Sequence, residues 1–135
     1  MAKGSCLCGK LTYEFTGEPV KTVLCHCLQC RKLTSSAFTT NLLVPSSAVT
    51  ITGEPKHYDF VQETGDKFKT SFCGECSTLI CKETDADGFQ GLLILEAGSL
   101  DGGFEEFKPA AEIFVKHRTA WLGELNGLAQ FQEKP

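Results

Sequence analysis

The sequence has no long apolar run, and nothing in its 135 residues approaches the ~20-residue length that a membrane-spanning helix requires. Its first residues, Met1-Ala2-Lys3-Gly4-Ser5, reach a cysteine without an apolar core of the kind a secretory signal carries. It has no basic excess either: 13 Lys and Arg stand against 17 Asp and Glu, a net charge of −4, so the clustered cations that a polyanion requires are missing. Low-complexity segments and linkers are absent, and the echo between Cys6-Leu7-Cys8 and Cys25-His26-Cys27 is too short to be a repeat. These absences disfavour membrane and nucleic-acid partners and lead to the expectation of a soluble, cytoplasmic protein, one domain over residues 1–135. They leave the oligomeric state unknown.

What the chain does have is sulfur. Seven of its 8 cysteines fall in CxC or CxxC clusters: Cys6-Leu7-Cys8, then Cys25-His26-Cys27-Leu28-Gln29-Cys30, then Cys73-Gly74-Glu75-Cys76. In a secreted chain such a number would suggest disulfides. Cysteines one residue apart do not readily bridge to each other, and without an export signal thiols stay reduced, so metal ligation is the better reading. Zinc takes four thiolates at about 2.3 Å in a tetrahedron, and Cys6, Cys8, Cys73 and Cys76 suffice to close one such site. That site would staple the start of the chain to its middle, offsetting loop-closure entropy, with Gly9 and Gly74 allowing tight knuckles. Cys81 stands alone in an apolar stretch and is expected to be a packed core thiol.

Cys25, Cys27 and Cys30 then remain as a second, three-sulfur set. A catalytic zinc keeps three protein ligands and one exchangeable position. Three thiolates on Zn²⁺ leave a net charge of −1, which suits water activation poorly but suits the capture of a fourth sulfur, so the charge count points to a thiol substrate. The competing reading is a closed structural site, completed by His26 or by Cys81. Neighbours in an extended segment point to opposite sides, so His26 is expected to face away. Arg31 and Lys32 could meet a substrate carboxylate or simply be solvated, Trp121 and Phe38 could line a pocket or the core, and His57 is expected to be structural.

The remaining pattern is that of short strands. Alternation over Lys10–Phe15 and Ala111–His117, short extended stretches over Val20–Leu24, Ala37–Val44, Val49–Thr52, His57–Gln62, Lys67–Phe72 and Thr78–Lys82, and the continuous apolar run Leu92–Leu95 predict strands, with a turn of helix over Arg31–Ser36 and coil or a short helix over Arg118–Gln130. With 13 glycines and no sustained helical period, an all-β domain is expected.

Gly4-Ser5-Cys6-Leu7-Cys8-Gly9, Cys25-His26-Cys27-Leu28-Gln29-Cys30-Arg31-Lys32, Phe72-Cys73-Gly74-Glu75-Cys76 and Arg118-Thr119-Ala120-Trp121 resemble the glutathione-dependent formaldehyde-activating enzyme family, which also includes centromere protein V. The resemblance covers nearly the whole chain. It implies a β-tent of stacked antiparallel sheets with two zinc ions, a structural one on Cys6, Cys8, Cys73 and Cys76 and a catalytic one on Cys25, Cys27 and Cys30. It also implies a carbon–sulfur lyase similar to an S-(hydroxymethyl)glutathione synthase, which joins the thiol of glutathione to formaldehyde. A non-catalytic, zinc-stabilised binding module is the alternative. One departure from the family pattern is Ser77, where glycine is common after the second cysteine of the CxxC; if that position needs a positive φ, serine is strained there.

Overall fold

The computed structural model describes residues Met1–Pro135. Eleven strands and one short helix follow in order: β1 (Ala2–Ser5), β2 (Thr12–Phe15), β3 (Lys21–Cys25), α1 (Leu28–Thr34), β4 (Thr39–Pro45), β5 (Val49–Thr52), β6 (Lys56–Val61), β7 (Lys67–Phe72), β8 (Leu79–Thr84), β9 (Leu92–Glu96), β10 (Ala111–Ile113) and β11 (Ala129–Gln130). They form a three-stranded sheet, β1-β2-β5, stacked on an eight-stranded one, β11-β10-β3-β4-β9-β8-β7-β6. The pairing is antiparallel except at one edge of the large sheet, where β10 runs parallel to β3 and to β11. The expected all-β tent is therefore present, with a mixed edge added to it.

The period of two along each strand divides the large sheet into two faces with different tasks. Leu42 and Val44 of β4, Leu93 and Leu95 of β9 and Cys81 of β8 turn towards the small sheet, where they bury Leu11, Tyr13 and Phe15 together with Cys6 and Cys73. Cys81 is thus a core thiol, as its isolation suggested. Asn41 and Glu96 are direct partners across β4 and β9, and Lys82 pairs with Ile94 across β8 and β9, so these residues share the opposite face. Leu43, Phe68, Ala86, Phe89 and Ile94 pack there as a second apolar cluster.

Several boundaries differ from expectation, each for a local reason. β2 begins at Thr12 because the backbone of Leu11 is already committed to Cys6, its carbonyl accepting from the Cys6 amide at 3.0 Å and its amide donating to Cys6 Sγ at 3.3 Å. The helix starts three residues earlier than Arg31, at Leu28, because Cys27 caps it: Cys27 Sγ accepts from the Cys30 amide at 3.2 Å. The strand expected over Ala111–His117 ends at Ile113, since Phe114 adopts a left-handed φ of 56° and Val115–His117 wind into a 3-10 turn. Residues 118–128 hold no helix, and the two-residue β11 follows them.

Candidate metal centres

Two groups of sulfurs converge. The Sγ atoms of Cys6, Cys8, Cys73 and Cys76 all lie within 4.8 Å of one another, and so, separately, do those of Cys25, Cys27 and Cys30. None of the eight cysteines is in a disulfide.

In the first group the Cys6–Cys8 and Cys8–Cys73 sulfurs are 3.6 and 3.7 Å apart. A tetrahedron with Zn–S bonds of about 2.3 Å has edges of about 3.8 Å, so the donor set fits zinc in spacing as well as in softness. Backbone amides support it: Cys73 Sγ accepts from Glu75 N at 3.4 Å and Cys76 N at 3.5 Å, Cys6 Sγ accepts from Leu11 N, and Cys76 Sγ accepts from Cys8 N at 3.4 Å. The Thr78 hydroxyl and the Cys8 amide beside it bring the Cys76 thiol down to about 5, a group already inclined to be a thiolate. Gly9 carries the positive φ, 81°, that its knuckle needs, but Gly74 does not. In the second knuckle the left-handed residue is Ser77, at φ 69°, so the departure at this position does place a serine in a conformation that favours glycine.

In the second group the Cys25 and Cys30 sulfurs are 3.5 Å apart, near a zinc tetrahedron's edge, whereas the Cys27 and Cys30 sulfurs, 2.7 Å apart, are crowded closer than that edge. All three are buried. Hydrogen bonds from its two cysteine neighbours, and the nearby Lys82 ammonium, hold the Cys30 thiol well below its usual value against the opposing effect of burial. Neither residue considered as a fourth ligand belongs to this group. Cys81 lies in the core on the other side of the sheet, and His26 turns away to Glu112.

The His26–Glu112 pair anchors the cysteine loop. His26 is fully buried, its Nε2 donates to Glu112 Oε1 at 2.8 Å, and its amide donates to the Ile113 carbonyl at 3.0 Å. Glu112, 1% exposed, also accepts from Gln130 Nε2 at 2.8 Å, the Leu125 amide at 3.0 Å and Arg118 Nη2 at 3.4 Å. Burial alone would raise this carboxyl, yet the bonds from Gln130, Leu125, His26 and Arg118 keep it below its ordinary value. Nothing in the sequence singles out Glu112, since a glutamate in an alternating strand ordinarily faces water.

A small cavity of about 30 Å³ opens beside the three sulfurs, with Leu43, Phe68, Phe89 and Ile94 among its walls. Lys82, likewise not singled out by the sequence, reaches it from β8: it is 3% exposed, and its Nζ lies 3.5 Å from Cys30 Sγ and 3.5 Å from Glu96 Oε1. Burial pushes the Glu96 carboxyl up to about 7 despite the pull of Lys82. The tip of the β6–β7 hairpin closes over this side and is tied to the C-terminal segment, Glu63 pairing with Lys116 at 3.1 Å and His117 at 2.8 Å, and Asp66 with Lys134 at 3.3 Å.

The other side chains singled out from sequence lie elsewhere. Arg31, Lys32 and Leu28 share an open surface groove with Trp121, which is 77% exposed and in neither the core nor the sulfur cavity. Phe38 packs against His26 with ring centroids 5.6 Å apart. His57 has a structural contact, its Nδ1 lying 3.1 Å from Ser71 Oγ. No helix is long and apolar enough to cross a membrane.

No curated protein matches the chain. Among solved structures, a crystal structure of a Rhodobacter sphaeroides protein is similar in fold, with a TM-score of 0.57 and 19% identity over 75% of this chain and 89% of that one. The family model described as glutathione-dependent formaldehyde-activating enzyme matches residues 1–117, a span that takes in every cysteine, His26, Lys82 and Glu112. This chain belongs to the glutathione-dependent formaldehyde-activating enzyme family.

Proposed function

We propose that residues 1–135 form one domain that acts in the cytoplasm as a zinc-dependent carbon–sulfur lyase, joining the thiol of glutathione or a similar thiol to a small carbonyl compound such as formaldehyde, or reversing that addition. The observation that supports this most is the unequal division of sulfur, four donors in one group and three in the other. On this reading Cys6, Cys8, Cys73 and Cys76 hold a structural zinc, and Cys25, Cys27 and Cys30 hold the catalytic one. A zinc bound by the three cysteines supplies a position for a fourth sulfur and keeps that sulfur deprotonated at neutral pH.

The chain's own residues do the rest. Glu112 and His26 fix the loop that carries Cys25 and Cys27, so the three sulfurs face one cavity without having to be ordered when substrate arrives. Phe68 and Phe89 keep that cavity apolar, which limits competing attack by water. In the addition, the sulfur lone pair forms the new C–S bond, the C=O π pair moves to oxygen, and the proton released by the thiol ends on that oxygen.

Metal analysis of the reduced protein, with isotope-exchange NMR on glutathione and formaldehyde, tests the proposal. Roughly two zincs per chain, one removed by mild chelation and protected by glutathione, together with faster exchange than in buffer, is the expected result. Two inert zincs with no thiol binding and no acceleration would leave a zinc-stabilised binding module.

A further inference from the structure

Lys82 is a buried ammonium whose hydrogen-bonding capacity is barely used. Its near partners are Cys30 Sγ and Glu96 Oε1, both at 3.5 Å, with the Cys25 and Cys27 sulfurs farther off in the same cavity, and neither oxygen of Glu96 accepts a hydrogen bond from any group. A buried ammonium with spare N–H groups is costly unless a ligand takes them up. On the other side of β9, Asn41 lines the same cavity, and its buried Oδ1 has no donor. The other cation lining the cavity, Lys134, is already paired with Asp66. One spare donor and one spare acceptor, in an apolar cavity beside three sulfurs, complement a hydroxyl, which accepts one hydrogen bond and gives another.

We propose that Lys82 and Asn41 form the subsite for the oxygen of the carbonyl substrate, Lys82 donating to it as the alkoxide develops and Asn41 accepting from the hydroxyl of the product. This rests on the reading of the cluster as a thiol–carbonyl addition site. In that step the C–S bond forms, the π pair becomes the oxygen lone pair that Lys82 meets, and the thiol's proton completes R–S–CH2–OH. Lys82 keeps its own proton, and nothing is oxidised or reduced. Glu96 positions the ammonium from the neighbouring strand. The cavity is small, about 30 Å³, in keeping with a small carbonyl substrate.

The test uses the zinc-loaded full chain and the variants Lys82→Met and Asn41→Ala, read by ¹³C-formaldehyde exchange NMR, glutathione calorimetry and zinc content. Lys82→Met is expected to keep both zincs and to bind glutathione within about twofold of wild type while exchange falls about 10²–10³-fold, the loss typical of removing an oxyanion donor. Asn41→Ala is expected to lose about tenfold in exchange with unchanged glutathione binding. Full exchange in Lys82→Met overturns the subsite. So does loss of zinc or of glutathione binding from that variant, which would make Lys82 a charge partner of the thiolates. If Lys82→Met does not fold, Asn41→Ala decides alone, and an unchanged rate there refutes the proposal. A wild type without any exchange activity removes the parent reading, whereas an active wild type with insensitive variants removes only the subsite.

Discussion

Replacing Glu112 by alanine removes the acceptor for four donors at once: His26 Nε2, Gln130 Nε2, the Leu125 amide and Arg118 Nη2. Hydrogen bonds to a charged acceptor contribute about 1.5–3 kcal/mol each, but they share one carboxylate and do not add, so the figure for breaking a buried charged network, about 3–5 kcal/mol, is the better guide. A chain of this size shifts in Tm by roughly 3–5 °C per kcal/mol, so Glu112→Ala should melt on the order of 10–20 °C lower at neutral pH. Because His26 lies between Cys25 and Cys27, the same variant should lose metal from the three-sulfur group before the four-sulfur group. The pH dependence follows from the sign of the shift. The Glu112 carboxyl is lower in the folded chain than in the unfolded one, so its stabilisation is complete above the unfolded value of about 4.3 and disappears as pH falls through the folded value. The gap in Tm between wild type and Glu112→Ala should therefore narrow with acidification. Calorimetric melts with zinc analysis measure all three effects. A variant that melts within a few degrees of wild type and holds both metals would refute the claim that Glu112 anchors the cysteine loop.

Further expectations separate the two sulfur groups and test their knuckles. Cys76→Ser should impair folding, because it opens the staple between the chain start and the middle, whereas Cys27→Ser should leave a folded domain without exchange activity; circular dichroism and NMR exchange distinguish these outcomes. Ser77→Gly should raise stability by about 0.5–1 kcal/mol in denaturant titration, since the residue holds a φ of 69°. Gly4→Ala should lower it by about 1–3 kcal/mol, because the new Cβ would lie 2.2 Å from Tyr13 Cζ, in a ring whose hydroxyl is fixed to Ser99 Oγ at 2.8 Å.

What was legible in the sequence is what short-range chemistry imposes. CxC and CxxC spacings leave sulfurs few arrangements, and the continuous apolar run Leu92–Leu95 has the pattern of a strand buried on both faces. Glu112 and Lys82 were illegible because a charged residue in an alternating strand ordinarily faces water. Nothing local reveals that His26 waits across a parallel edge for Glu112, or that Lys82 faces the sulfur cavity from β8. The strand through Ala111–His117 was overextended for a related reason: alternation continues in the sequence past Phe114, where the backbone has already turned left-handed. β1 and β11 escaped notice because Ala2-Lys3-Gly4-Ser5 and Ala129-Gln130 have too few apolar residues to show any period, and only their partners make them strands. Trp121 shows the converse, a large aromatic that composition assigns to a core and that stands in solvent beside α1.

On the proposed reading one zinc is saturated by Cys6, Cys8, Cys73 and Cys76, and the other, on Cys25, Cys27 and Cys30, has a place for a visiting sulfur. Zinc-edge X-ray absorption on the reduced, two-zinc protein tests it directly, before and after addition of glutathione. An average of about 3.5 sulfurs per zinc, rising to about 4 with the thiol, is expected. An average already at four without glutathione, and unchanged by it, would mean that the chain closes both ions and leaves no place for a thiol.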